Sequence, residues 1–180
     1  MSYNRRNFIK TSSLGAIATS TLSINCQNNL SNTREGIYMG DFADKPIKNI
    51  RAAFIGLNRG GSHLRNFATI QNTEVVALCD LYEENVKREL ERLYQYNSNT
   101  SNVKTYWGDK NKWKIMLKEM RPDIVFISTN WNNHAPMAIQ SMIDGAHAFV
   151  EVPMAVTLEE MWDIVNTSEK TQKHCMMMEN

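Results

Sequence analysis

The chain has 180 residues, a formal net charge of +1 and 42% hydrophobic residues, enough for one globular domain plus an additional segment. Its near-neutral charge argues against nucleic acid as a partner, because no basic stripe is present to displace the counterions of phosphates. No apolar run is long enough to suggest a membrane-spanning helix.

The first thirty residues resemble an export signal. Arg5-Arg6 is followed by a polar residue, two apolar residues and Lys10, and a weakly apolar stretch then runs from Leu14 to Ile24. A charged region before a short apolar region is typical of a twin-arginine signal peptide, which we assign to residues 1–30. The protein is therefore expected to be exported, either to the periplasm or to a membrane surface through a lipid on Cys26. Residues 31–48 are polar and are predicted to be a linker.

The cysteines and histidines are scattered along the chain. Cys26, Cys79 and Cys175 form no CxxC pair, and the four histidines have no HExxH spacing. We expect one cysteine in the leader, two buried thiols and no metal site.

Residues 49–180 begin with the pattern of a dinucleotide-binding unit. A short apolar strand ends at Ile55 and is followed by Gly56-Leu57-Asn58-Arg59-Gly60-Gly61, a helix over 62–70 and a strand over 74–79. Gly56 permits a tight turn, and the glycine pair permits close approach of the helix, whose N-terminus can bind a pyrophosphate. The pattern departs from GxGxxG: either Asn58 replaces the usual middle glycine, or the turn is one residue shorter.

Asp80 follows the second strand at the position where a carboxylate accepts hydrogen bonds from the adenosine ribose. A carboxylate there repels a 2′-phosphate, and no arginine follows it directly. The sequence therefore predicts NAD, and not NADP, as the cofactor.

The alternation of strands and helices continues to the end of the chain. The predicted strands are 103–107, 124–128, 148–150 and 175–180, and the predicted helices are 83–94, 112–119, 136–144 and 157–170. Thr157 to Glu160 is a capping box, and Gly145 follows a helix as a C′ glycine. We predict an α/β fold of the Rossmann type, a doubly wound parallel sheet whose ligand lies at the carboxyl ends of the strands.

Several residues admit a purely structural interpretation. His134 can be a buried loop histidine or lie near the nicotinamide, Trp131 can pack its loop or contact the cofactor, and Glu151 can cap a strand. Helix 83–94 is expected to be a solvated charged face. Met176–Met178 is expected to be a buried strand and not a metal or redox motif.

With these residues in place, the chain resembles the Gfo/Idh/MocA oxidoreductases over residues 48–180. That family usually has Glu-Lys-Pro where this chain has Glu151-Val152-Pro153. The valine, the segment Trp131–His134 and the segment Glu169–Asn180 together resemble glycoside hydrolase family 109, whose members are NAD-dependent α-N-acetylgalactosaminidases. By this resemblance the cofactor is NAD and the substrate a terminal α-linked N-acetylgalactosamine glycoside.

The resemblance also implies a set of cofactor-contacting residues: Asn58, Arg59, Asp80, Trp131, Asn132, Asn133, His134, Glu151, Val152 and Asn180. The residues that act on the sugar are expected beyond Asn180, in a C-terminal substrate domain absent from this chain, so residues 1–180 alone are expected to be inactive. Two alternatives remain open: an exported sugar oxidoreductase that transfers hydride to or from NAD, and a binding module. A homo-oligomer is compatible with either.

Overall fold

The computed structural model describes residues 38–96 and 102–179, in which strands and helices alternate. The strands are β1 (Ile50–Ile55), β2 (Thr73–Cys79), β3 (Lys104–Tyr106), β4 (Ile124–Ile127), β5 (His147–Glu151) and β6 (Cys175–Met178). The helices are α1 (Gly60–Phe67), α2 (Glu83–Tyr96), α3 (Lys112–Met120), α4 (Trp131–Ile143) and α5 (Leu158–Thr171), preceded by a 3-10 turn at Met39–Asp41. The predicted signal peptide, Cys26 and Asn180 lie outside the described residues.

The six strands form one sheet in the order β3-β2-β1-β4-β5-β6, and all neighbouring strands are parallel. The chain moves outward from β1 through β2 to β3, then returns to the other side of β1 with β4. The order of the strands therefore reverses between β1 and β4, where an open α/β sheet forms a crevice for ligands at its carboxyl edge. This topology confirms the predicted doubly wound Rossmann-type sheet.

Apolar side chains cover both faces of the sheet. One face packs on α1 and α2 around Phe54, whose ring stacks on that of Phe126 with centroids 4.5 Å apart. The other face packs on α3, α4 and α5 through residues such as Trp113, Met142 and Ile164. Burial on both faces explains why β4 is a continuous apolar run and why β1 from Ala52 and β2 from Val75 are continuously apolar and not alternating.

Two predicted helix ends are confirmed. The Thr157 hydroxyl accepts a hydrogen bond from Glu160 N–H at 3.1 Å, and the Glu160 carboxylate accepts one from Thr157 N–H at 3.2 Å, which completes the capping box. Gly145 follows α4 with a φ of 96°, as a C′ glycine requires. Among the described residues, no helix is both long and apolar enough to cross a membrane.

The start of α4 was predicted wrongly. The sequence indicated a loop through His134 and a helix beginning at Pro136, because proline favours the first turn of a helix. The structure instead begins the helix at Trp131, after the extended residue Asn130, and Pro136 lies inside it. The segment Trp131–His134 is consequently the first turn of a helix that points away from the end of β4.

One expectation about burial was also wrong. Met176 and Met177 were expected to be buried, but β6 is an edge strand and their exposed fractions are 48% and 46%. Helix α2 does expose the expected charged face, including Glu84, Lys87 and Glu91, although its Glu89 is only 1% exposed. The arginines that surround Glu89 offset the free-energy cost of burying its carboxylate.

Candidate cofactor-binding site

The site is built on the glycine turn between β1 and α1. Gly56 has a φ of 85°, and a Cβ placed there would lie 2.5 Å from the carbonyl oxygen of Ser128. Its N–H donates to the carbonyl of Cys79 at 2.9 Å. Glycine is required here by both backbone conformation and space, since the turn passes directly against the end of β4.

Asp80 ties the end of β2 to this turn. Its Oδ2 accepts a hydrogen bond from Leu57 N–H at 2.7 Å, and its Oδ1 accepts from Tyr82 N–H at 3.0 Å and Asn85 Nδ2 at 3.1 Å. A carboxylate offers about four lone-pair sites, so one site remains for a ligand hydroxyl. Asp80 is 9% exposed and lines the crevice, where the predicted ribose interaction requires it.

An ionic cluster on α2 supports the glycine turn. The Arg88 guanidinium donates to the Leu57 carbonyl at 3.3 Å, to Asn85 Oδ1 at 2.8 Å and to Glu89 Oε1 at 3.0 Å. Arg65 and Arg92 also pair with Glu89, at 3.4 and 2.8 Å. The buried carboxylate thus fixes Arg88, which holds both the turn and the amide that supports Asp80.

The glycine pair allows α1 to approach its neighbours. A Cβ on Gly60 would lie 3.2 Å from Ser128 Cβ, and one on Gly61 would lie 2.7 Å from the Glu89 carboxylate. The close packing predicted for these glycines is confirmed, and the helix N-terminus consequently lies at the crevice.

Two adjoining cavities occupy the carboxyl edge of the sheet. The first has a volume of about 500 Å³ and extends from the glycine turn past Asp80 to the start of α3. Of the predicted cofactor residues it contains Asn58, Arg59, Asp80 and Asn133. Sequence reasoning missed other lining residues with polar side chains: Tyr82, Asn85, Asp109, Lys110, Ser128, Thr129 and Asn130.

The second cavity has a volume of about 320 Å³ and lies between α4 and the end of β5. It is lined by Arg59, Ser128, Thr129, Trp131, His134, Glu151 and Val152. Arg59, Ser128 and Thr129 line both cavities, so a molecule with two joined halves can extend from one into the other. Asn132, on the exposed first turn of α4, lines neither.

Glu151 is the acidic group of the second cavity. Its Oε1 contacts His63 Nε2 at 2.5 Å and accepts from Arg59 Nε at 3.4 Å, and both partners belong to the segment that starts α1. Burial alone would raise the pKa of Glu151, but these hydrogen bonds, that of His63 first, outweigh it and lower the pKa below its ordinary value. The carboxylate is therefore ionised at neutral pH.

His134 is held by main-chain oxygens. Its Nδ1 lies 2.8 Å from the carbonyl oxygen of Pro153 and its Nε2 lies 3.1 Å from that of Thr129. The residue is 1% exposed. His134 thus links the segments that follow β4 and β5, and it shapes the second cavity while both ring nitrogens face carbonyl groups.

The residues present fit a dinucleotide. The glycine turn and the N–H groups of the first turn of α1 provide a site for a pyrophosphate, and the Asp80 carboxylate provides one for a ribose. Ser128, at the junction of the cavities, has a buried Oγ with no hydrogen-bond partner among the described residues. Buried hydroxyls are normally paired, so this one is available to a ligand.

Most of the predicted site residues come together at this edge. Asp80 and Asn133 lie on the first cavity, Trp131, His134, Glu151 and Val152 on the second, and Arg59 on both. Their contacts with a cofactor stay predictions. His63 was missed, although it stands four residues after Arg59 and therefore on the same side of α1.

Comparison with known proteins identifies the family. The model of the oxidoreductase family with an NAD-binding Rossmann fold, Gfo/Idh/MocA, matches residues 50–179. Glycosyl hydrolase family 109 protein 2 of Akkermansia muciniphila is 49% identical over 144 residues, covering 79% of this chain and 30% of that protein. Glycosyl hydrolase family 109 protein 1 of Shewanella sp. strain MR-4 is 38% identical over 182 residues, covering 98% of this chain and 39% of that protein.

The chain thus spans 30 to 39% of the length of these two relatives. Solved structures share the fold at lower identity. The WlbA dehydrogenase of Bordetella pertussis, in complex with NADH and UDP-GlcNAcA, aligns with a TM-score of 0.62 at 20% identity, covering 74% of this chain and 36% of that one. An apo scyllo-inositol dehydrogenase from Lactobacillus casei gives 0.61 at 20% identity, covering 72% of this chain and 36% of that one.

The predicted resemblance is confirmed for the family, the fold and the cofactor. With its glycine turn, its acidic residue after β2 and its 3-2-1-4-5-6 strand order, the chain belongs to the Gfo/Idh/MocA oxidoreductase family and forms that family's NAD-binding Rossmann domain.

Proposed function

We propose that this chain is the cofactor domain of an NAD-dependent glycoside hydrolase that removes terminal α-linked N-acetylgalactosamine. Hydrolysis proceeds by transient oxidation at C3 of the sugar, elimination of the aglycone, addition of water and reduction. The cofactor is regenerated within each cycle, so the net reaction consumes one glycoside and one water and no NAD.

The observation that carries this proposal is the identity of 38 to 49% with relatives named glycosyl hydrolase family 109 proteins. The alignment with the Shewanella protein covers 98% of this chain, so it includes the described site. Val152, next to Glu151 in the second cavity, supports the same assignment, because the resemblance associates this valine with the glycosidase branch.

The residues of the two cavities would bind different parts of the cofactor and the sugar. Asp80 would hold the adenosine ribose, while the turn at Gly56 and the start of α1 would hold the pyrophosphate. The chemistry supplied by bound NAD is reversible acceptance of a hydride. The second cavity would receive the nicotinamide half and the sugar, with Glu151 as its anionic group and Trp131, 63% exposed, as an aromatic face. Carbohydrates commonly pack their C–H faces on such rings.

A single assay tests the proposal. The protein expressed from the complete reading frame is incubated with a chromogenic α-N-acetylgalactosaminide before and after its cofactor is stripped. We expect release of the chromophore that disappears on stripping and returns when NAD is added. Release that persists in protein verified to be free of NAD would contradict the proposal.

A sugar oxidoreductase is the second candidate, favoured by the description of the matched family as oxidoreductases. Such an enzyme would form net NADH from a free sugar or exchange hydride between two sugars. In the same assay it would release no chromophore, and NADH would accumulate from oxidation of the glycoside or of a free sugar added to the reaction.

We further propose that the protein is exported through the twin-arginine route. The route carries folded proteins, so NAD can be bound before export, and a cofactor that is recycled on the enzyme needs no supply outside the cytoplasm. Cell fractionation tests this: the wild-type protein should leave the cytoplasm, and the R5K/R6K double variant should remain there. Equal distribution of the two would contradict the proposal.

A further inference from the structure

The second cavity contains few groups that can exchange a proton. Its ionisable lining residues, within the described part of the chain, are Arg59, His134 and Glu151. Arginine stays protonated in proteins, and both nitrogens of His134 face main-chain carbonyls. Because both His134 nitrogens are engaged with main-chain oxygens, Glu151 is the ionisable lining residue with a side-chain oxygen left for a ligand hydroxyl.

Glu151 is connected to water through His63, which contacts the carboxylate and is itself partly exposed. His63 Nε2 contacts Glu151 Oε1, and the His63 side chain is 24% exposed while that of Glu151 is 11% exposed. From the described part of the chain, the second carboxylate oxygen, Oε2, accepts a single hydrogen bond, from Val152 N–H at 3.3 Å. One oxygen is therefore bound to the imidazole, while the other is weakly engaged.

We propose that Glu151 and His63 form a proton-transfer pair for the second cavity, with Glu151 accepting the proton of a carbohydrate hydroxyl and His63 passing it to solvent. The inference rests on the proposed function, since it concerns a sugar oxidised at this cavity. Neither His63 nor this division of roles follows from the sequence motif at the glycine turn.

Oxidation of a secondary alcohol would remove a hydride, which bound NAD⁺ would accept, and a proton, which the pair takes up. The hydroxyl O–H bond breaks, and an O–H bond forms on Glu151 Oε2. Nε2–H of His63 stays hydrogen-bonded to Oε1, and an imidazole that also carries a proton on Nδ1 releases that proton to water. In the later reduction Nδ1 takes a proton from water, and Oε2 returns one to the sugar oxygen.

Arg59 keeps the geometry of the pair. Its guanidinium donates to the same oxygen that contacts His63, so Arg59, just before α1, and His63, within it, both hold the Glu151 carboxylate. Arg59 itself cannot take up the proton, and it also lines both cavities. We therefore assign the relay to His63 and the holding of the carboxylate to Arg59.

Two substitutions of His63 separate a relay from a merely structural contact. His63→Gln retains a neutral hydrogen-bond donor but cannot carry a proton, whereas His63→Leu removes both capacities. If His63 relays a proton, both variants should turn over substrate slowly. We expect kcat to fall at least about tenfold, because positioned proton transfer contributes roughly 10²-fold or more. KM and NAD affinity should stay near wild-type values, because His63 lines neither cavity.

A spectroscopic readout makes the test independent of turnover. In the 180-residue chain labelled with carbon-13 at glutamate carboxyl groups, the pKa of Glu151 should rise in His63→Leu, because the hydrogen bond from His63 lowers it. His174→Leu is the matched control, since His174 precedes β6 at the opposite edge of the sheet and should change neither quantity.

The outcomes are distinguishable. Lower kcat in both variants together with the raised Glu151 pKa supports the pair. Wild-type kcat in His63→Gln, or an unchanged Glu151 pKa in His63→Leu, overturns it. Absence of glycoside turnover in the wild-type protein itself would overturn the proposed function instead, and the carboxyl titration would still report on the contact.

Discussion

Leu57 N–H donates a 2.7 Å hydrogen bond to Asp80 Oδ2, which joins the glycine turn after β1 to the acidic residue after β2. One carboxylate thus holds the loop expected to bind a pyrophosphate while lying on the cavity expected to receive a ribose. The two halves of the dinucleotide motif are therefore coupled, and a change at Asp80 affects both.

Asp80→Asn should weaken NAD binding about tenfold or more, equivalent to ~1.4 kcal/mol. An amide offers one acceptor oxygen, so its NH2 group must face Leu57 N–H or Tyr82 N–H, and one of these hydrogen bonds is lost. Calorimetric titration with NAD and NADP should also show a smaller preference for NAD. Asp163→Asn, on the exposed surface of α5, is the control. Unchanged NAD affinity in Asp80→Asn would contradict the assigned role.

Gly56→Ala should destabilise the domain by more than about 2 kcal/mol, because a positive φ costs an alanine ~1–2 kcal/mol and the new Cβ meets a backbone oxygen at 2.5 Å. Gly108 has the same φ of 85° but nothing within 4 Å of an added Cβ, so Gly108→Ala isolates the conformational cost. Urea unfolding of both variants measures the difference. Equal losses of unfolding free energy in the two variants would mean that the close approach of the turn to Ser128 does not contribute to the cost of the substitution.

Glu89→Gln should lower the free energy of unfolding by about 2 kcal/mol, since it removes the charge that three arginines share and leaves them repelling one another. NAD affinity should fall as well, because Arg88 then holds the Leu57 carbonyl less firmly. Glu91→Gln on the exposed part of the same helix provides the comparison. If both variants unfold at the same urea concentration, the cluster contributes little.

The stability of the domain should fall as the pH drops through the ordinary histidine range, about 6.5. Burial, assisted by Lys173, lowers the pKa of His147, whereas Asp44 opposes that shift. Its Nδ1 accepts a hydrogen bond from His174 N–H at 2.9 Å, which protonation would remove. A depressed folded-state pKa gives stability that is present above the unfolded value and lost below it. Unfolding at several pH values should show a shallower decline in His147→Asn, and an identical decline would contradict this role.

The fold could be predicted from the sequence because most of its strands contain a short apolar run and its turns carry glycine or capping residues at fixed offsets. Gly56, Asp80 and the Thr157 capping box all lie where the pattern indicated. The start of α4 could not be predicted, because Pro136 is locally typical of a first turn while tertiary packing extends the helix back to Trp131.

Part of the site also lay beyond sequence reasoning. His63 reaches Glu151 across 88 positions of the chain, and Glu89 is buried by arginines from two helices. Such contacts depend on how α1 and α2 pack on the sheet, and the periodicity of apolar residues along the sequence does not predict them. By contrast, residues at strand ends were found because parallel strands bring their carboxyl ends together.

In the proposed mechanism, hydrolysis runs through a cofactor that is regenerated on the enzyme. The most direct measurement follows chromophore release and NADH absorbance together in one reaction of the complete protein with a chromogenic α-N-acetylgalactosaminide. We predict many equivalents of chromophore per bound NAD and no net NADH. Accumulation of NADH in proportion to substrate consumed, without release of the chromophore, would contradict this mechanism and identify a sugar oxidoreductase.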